Sequence, residues 1–182
     1  TGTTITCAEF TEFMSRVPAD VLVALDEAYF EYNRAHDTPV ATEEIAKYPN
    51  VVGLRTFSKA YGLAGARVGY AFGPAPIIEA LNKVAVPFSV STPAQAGAVA
   101  SLSLDDELSD RIDETCTERT RLVEFFAEYG TPATETNFVW VPADGLPIAA
   151  KEFAAALSEA GVLVRAFDDG IPVSYTHLRA HE

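Results

Sequence analysis

Val21-Leu22-Val23-Ala24-Leu25, an apolar run that leads straight into Asp26, restricts the fold of this chain more than any other segment. A run this short and unbroken reads as a buried strand of a parallel sheet, covered by helices on both faces. The flanking patterns agree. Glu9 to Arg16 has helical apolar spacing (Phe10, Phe13, Met14, Val17) and stops at Pro18. Glu43 to Lys47 reads as a short helix capped by Thr42, Val51-Val52-Gly53-Leu54 as a second strand and Val68 to Phe72 as a third. Alternating strands and helices define the α/β class, whose ligand sites collect at the carboxyl ends of strands. Asp26 and the segment after Leu54 occupy such ends. Downstream, Ala75 to Val84 and Pro93 to Leu102 read as helices, and Asp105 to Tyr129 as a long amphipathic helix closed by Gly130 that connects two domains. Phe138 to Val141, Ile148 to Glu159 and Val162 to Val164 then read as strand, helix and strand of an α+β unit. The aromatics Tyr61, Phe88 and Trp140 are assigned to the core.

Composition bounds the partners. With 26 acids against 13 bases the net charge is -13, and no basic patch offsets it, so nucleic acid and anionic membranes are excluded as partners. Charge-free stretches such as Val84 to Leu104 are broken by proline and polar residues, so no transmembrane segment is expected and the assigned location is cytoplasmic. Cys7 and Cys116 lack CxxC spacing and neighbouring histidines, which leaves no disulfide framework and no metal site. At 182 residues the chain suits one domain plus part of another, divided here as residues 1–104, 105–172 and 173–182. Thr1-Gly2-Thr3-Thr4 looks like the exit of a loop, so a preceding segment is expected. Val173 to Glu182 resembles translated read-through of a sequencing adapter, which removes His177 and His181 from functional consideration.

The residues richest in chemistry run from Thr56 to Tyr70: Thr-Phe-Ser-Lys-Ala-Tyr-Gly-Leu-Ala-Gly-Ala-Arg-Val-Gly-Tyr. Lys59 is one of four lysines and has no acidic neighbour in this stretch. A desolvated lysine without a carboxylate loses its proton easily and becomes a nucleophile toward carbonyl carbon. Thr56, Ser58 and Arg67 supply the hydroxyls and forked cation that grip a phosphate monoester. The glycines spell neither GxGxxG nor a Walker A loop. A carboxylate at a buried strand end needs a cation, and a protonated pyridine nitrogen serves for Asp26, with the Tyr29 phenol placed for a ring oxygen. The plainer readings are a surface lysine beside a turn, and an Asp that caps a helix with Tyr29 in the core.

Asp26-Glu27-Ala28-Tyr29, taken with Ser58-Lys59-Ala60-Tyr61-Gly62-Leu63-Ala64-Gly65-Ala66-Arg67-Val68-Gly69-Tyr70, resembles the fold-type I, class I/II aminotransferases that use pyridoxal 5'-phosphate. Asp26 to Arg34, Asp37 to Thr42 and Thr56 to Lys59 are similar to the histidinol-phosphate aminotransferase branch, and within it to phenylalanine, or aromatic amino acid, aminotransferases. The resemblance implies a three-layer α/β large domain with a mostly parallel sheet, present in part, followed by a truncated α+β small domain. It also implies that Lys59 holds the cofactor as an internal aldimine and shuttles the substrate proton. By the same resemblance Asp26 pairs with the pyridine nitrogen, Tyr29 with the ring oxygen, and Thr56, Ser58 and Arg67 with the phosphate. Arg165 matches a small-domain arginine near the substrate, and reads equally as a solvated strand-end cation.

The implied activity moves an amino group between an aromatic L-amino acid and a 2-oxo acid in a homodimer. The alternative is histidinol phosphate with 2-oxoglutarate. A pyridoxal-phosphate lyase or decarboxylase shares Asp26 and Lys59, and a non-catalytic aminotransferase-like binding module keeps the fold. Three departures stand out: the family's asparagine before Thr1-Gly2, the amino-terminal part of the large domain, and the arginine expected after Gly170-Ile171, where Pro172 stands. The chain by itself is therefore expected not to transaminate.

Overall fold

The computed structural model describes residues 2–174, so His177, His181 and the rest of 175–182 lie outside the described residues. The chain divides into two compact units, Ile5–Asp110 and the described part of Thr1–Thr4 with Arg111–Glu182.

In the first unit, α1 (Cys7–Arg16) starts two residues earlier than its apolar spacing predicts, because Thr6 and Glu9 form a reciprocal capping box. Phe10 and Met14 on its inner face pack with Val51, Val23 and Leu25. The sheet has the order β1 (Val23–Asp26), β2 (Val51–Thr56), β3 (Gly69–Phe72), with β1 and β2 parallel and β2 and β3 antiparallel. β1 is shorter and less buried than its sequence predicts. Val21 and Leu22 are about half exposed in a turn closed by the Val21 amide on the Pro18 carbonyl, and burial alternates along Val23 to Asp26. β1 is an edge strand, and among the described residues only its Val23 and Leu25 side is packed in that core.

α2 (Ala41–Lys47) corrects the assignment of Thr42 as a cap: the first helical amide, Ala41, donates to the carboxylate of Glu27 at 2.7 Å. Gly53 is required where the sheet meets this helix. A Cβ there would lie 2.3 Å from the Phe72 ring and 2.7 Å from the Ala41 methyl. α3 (Ala75–Val84) follows, then α4 (Thr92–Ser101), capped by the Ser91 hydroxyl and buried through Ala94 and Ala98. Phe88, between them, is fully exposed in a left-handed backbone conformation, φ 58°. Its assignment to the core is thus overturned, since the turn through Pro87 and Phe88, closed by the Ser89 amide on the Val86 carbonyl, throws the ring outward and no described side chain covers it.

α5 (Asp105–Phe125) carries three acids in its first turn, where the helix dipole favours them. It ends four residues before Tyr129; a 3-10 turn over Ala127–Tyr129 follows, and Gly130 closes it at φ 72°. The second unit packs α5, β4 (Val139–Pro142), α6 (Ala150–Glu159) and β5 (Gly170–Val173) around Leu122, Val139, Val141, Ala150, Ile171 and Val173. β4 and β5 are antiparallel, with Val141 opposite Ile171 and Val139 opposite Val173. Gly2 docks on this unit, its carbonyl accepting from the Thr134 hydroxyl and the Glu135 amide. The strand expected over Val162–Val164 does not form. Val164 packs against the core while Leu163 is 68% exposed, and the partner of β4 is Gly170–Val173 instead. No helix among the described residues is long and apolar enough to cross a membrane.

Candidate active site

Pleating sorts the sheet side chains into two sets, because successive residues of a strand point to opposite faces. Asp26 pairs in register with Leu54, so Asp26, Leu54 and Thr56 share one face. Glu27 and Arg55 occupy the other. At the end of β1 the Asp26 carboxylate turns back to accept from the Ala28 amide at 3.0 Å, which bends the chain toward Tyr29 and a 3-10 turn at Phe30–Tyr32. Asp26 is exposed, not buried as its apolar approach predicts, because β1 has no further strand beside it among the described residues.

Directly after β2 the backbone winds tightly. Thr56 Oγ1 accepts from the Ser58 amide at 3.0 Å, the Phe57 amide donates to the Val68 carbonyl, and the Gly62 amide donates to the Lys59 carbonyl at 2.9 Å. Gly62 takes φ 71°, the left-handed conformation that closes this turn. Phe57 and Ala60 are buried and anchor the loop from below, so Ser58 and Lys59 between them stay half-buried. Lys59 Nζ lies 5.0 Å from the centre of the Tyr29 ring, which brings the lysine of one loop and the phenol of the other together. Arg67 ends a 3-10 turn over Ala64–Ala66 in the left-handed region (φ 55°, ψ 51°), an uncommon backbone for a non-glycine residue. Its exposed guanidinium is held on its own loop by the Ala64 carbonyl at 2.9 Å. Arg165 is exposed, with its guanidinium carbon 4.9 Å from the centre of the Phe167 ring.

Two residues of this region escape a motif reading. Glu27 is 8% exposed and its carboxylate receives both the Ala41 amide and Arg55 Nε, the latter at 2.8 Å. The signal was present as two charges, Glu27 and Arg55, at strand ends on the side opposite Asp26 and Thr56. Burial pulls the Arg55 guanidinium toward its neutral form, but the Glu27 carboxylate and the Tyr70 hydroxyl more than offset this, and its pKa is raised. Burial likewise pushes the Tyr61 phenol up, helped by the charge of Glu31. Burial also raises the Glu31 carboxyl, against the opposing pull of its own backbone hydrogen bond and of Arg55.

That last shift sets a pH dependence. Between the ordinary glutamate range and the raised folded value, the folded state keeps a proton that the unfolded chain has lost, so stability falls as pH rises through this window. Glu31→Gln is therefore expected to stabilise only slightly at neutral pH, because the half-buried carboxyl keeps part of its contact with solvent. The gain should vanish below the ordinary glutamate range. Urea midpoints at acid and neutral pH check this, and an equal effect at both would refute it.

A model of the aminotransferase class I and II family matches residues 1–172. The chain belongs to that family. Among curated proteins, this aminotransferase chain is 59% identical over 176 residues to the aromatic amino acid aminotransferase of Corynebacterium glutamicum strain R, covering 97% of this chain and 50% of the relative. It is 56% identical to the protein of the same name from Corynebacterium efficiens, covering 97% and 49%. Among solved structures it is similar to histidinol-phosphate aminotransferase from Sinorhizobium meliloti in complex with pyridoxal-5'-phosphate, with a TM-score of 0.79 and 31% identity over 95% of this chain and 49% of that one. The chain spans about half the length of the curated relatives it matches.

The donor set of this aminotransferase chain fits a pyridoxal phosphate. It combines an amine beside a phenol, a carboxylate on the sheet face that carries Thr56, and hydroxyls with a guanidinium in the adjoining loop.

Proposed function

We propose that the complete protein carrying this chain moves an amino group between an aromatic L-amino acid and a 2-oxo acid, with pyridoxal 5'-phosphate as cofactor. The observation that carries this reading is Lys59 Nζ set against the Tyr29 ring, at the end of the sheet where Asp26 and Thr56 share a face. When bound, pyridoxal phosphate supplies an electron sink for negative charge at the substrate α-carbon. Lys59 anchors the cofactor and then holds the proton that leaves this carbon. Asp26 accepts the pyridinium proton in a hydrogen bond and keeps that nitrogen charged. Tyr29 donates to the ring oxygen, and Thr56, Ser58 and Arg67 bind the phosphate.

The aromatic assignment follows the names of relatives that share more than half of their aligned residues with this chain. Histidinol phosphate is the second reading, favoured by the likeness to the Sinorhizobium meliloti enzyme. We assign the complete protein as a homodimer in the cytoplasm. Borohydride reduction of the complete protein with bound pyridoxal phosphate, followed by digestion and mass spectrometry, is expected to place the pyridoxyl group on Lys59 and not on Lys47, Lys83 or Lys151. An adduct absent from Lys59 in folded protein refutes the reading.

A further inference from the structure

The end of β1 sends two acids to opposite sides of the sheet. Asp26 faces the Thr56 side, while Glu27 points behind it and joins α2 through the Ala41 amide and β2 through Arg55. The Arg55 guanidinium carbon lies over the Phe30 ring, 3.9 Å from its centre, and 5.3 Å from the centre of Phe72 on β3. One carboxylate thus ties together the turn after β1, the start of α2 and the last residues of β2, while its guanidinium partner reaches β3.

We propose that Glu27 and Arg55 are positioning residues: a clamp behind the sheet that sets the Asp26 to Tyr29 turn against the Lys59 loop, and so fixes how a bound pyridoxal phosphate is held. The proposal rests on the functional reading above. Sequence distance makes the coupling direct, because Asp26 adjoins Glu27, Tyr29 lies two residues beyond it, and Arg55 adjoins Thr56. Stability alone is a poor reason for such a pair, since buried ion pairs are often replaced by neutral groups without loss. What apolar groups do not reproduce is direction: two hydrogen bonds at 2.7 and 2.8 Å, with the cation held over the Phe30 ring, define the angle of the turn.

The test uses the complete protein with pyridoxal phosphate, as E27Q, R55Q and E27Q/R55Q. The amide oxygen introduced by E27Q still accepts from Ala41, and the double variant leaves no unpaired buried charge, so it is expected to melt within about 5 °C of wild type. Its dissociation constant for pyridoxal phosphate is nevertheless expected to rise about tenfold, and kcat to fall about tenfold with KM for phenylalanine changed less than about twofold. The pH midpoint of the visible absorption band of the bound cofactor should also move, which a purely structural pair would not cause. Each single variant is expected to be worse than the double, because it strands one charge.

A folded double variant with wild-type cofactor affinity and an unmoved pH midpoint overturns the clamp. Should the double variant not fold, R55K decides the matter by the same two readouts, since it keeps the charge and loses the planar fork over Phe30. Wild-type protein that fails to label at Lys59 overturns the functional reading and the clamp together. Normal labelling with unaffected variants overturns the clamp alone.

Discussion

Lys59→Ala in the complete protein is expected to lower transamination by at least about ten-thousandfold, since on the proposed function it removes both the cofactor anchor and the group that moves the α-proton. The fold should be little affected. Lys59 is half-buried on a loop held by its own backbone hydrogen bonds and by Phe57 and Ala60 beneath it, and its amine lies against the Tyr29 ring, with no carboxylate partner in an ion pair among the described residues. Thermal melting of the variant without cofactor is therefore expected to match wild type. Lys83→Ala is the control. Lys83 lies exposed in the last turn of α3 and belongs to none of the contacts argued for the site, so its activity should equal wild type. Steady-state assays with phenylalanine and a 2-oxo acid read all three proteins. A Lys59→Ala protein that keeps more than about a hundredth of the activity would remove this lysine from the proton transfer.

Ile171→Ala has the largest expected effect on stability, about 2–5 kcal/mol. Ile171 is 1% exposed, sits opposite Val141 on the neighbouring strand and fills a core also made by Leu122, Val139, Ala150 and Val173. A two-stranded sheet has little freedom to collapse onto the space left by the lost carbons, so the cavity cost adds to the lost burial. A protein with two compact units need not unfold in one step, and a global melting midpoint would blur the result. Hydrogen exchange read peptide by peptide resolves it. Amides of β4 and β5 are expected to lose protection, while those of β2 in the other unit are unchanged. Equal protection of β4 and β5 in both proteins would show that Ile171 does not hold this core together.

The aminotransferase reading was legible because its chemistry is written in local strings. Asp26 with Tyr29, and Ser58-Lys59 with Arg67, each lie within a dozen residues, and family resemblance acts on such strings directly. The strand and helix order was legible for a similar reason, since apolar period and breakers such as Pro18 and Gly130 are local. Burial was not. Asp26, Val21, Leu22 and Phe88 all stand among apolar or strand-like neighbours, yet they are exposed, because burial depends on which elements lie alongside and no local pattern carries that.

Capping and pairing divide along the same line. The Thr6–Glu9 capping box joins residues three apart, whereas the cap of α2 comes from Glu27, fourteen residues away and across a turn. Val162 to Val164 has the composition of a strand but lost the place beside β4 to Gly170–Val173, since a ladder needs a partner edge as well as propensity. By itself, then, the sequence determined the class of fold and singled out the lysine, acid and phenol proposed for the site, all through short-range pattern. Only the tertiary structure decided that Lys59 meets Tyr29, and that Glu27 and Arg55 stand back to back with Asp26 and Thr56, because contacts between residues some thirty positions apart exist only once β1 and β2 pair in register.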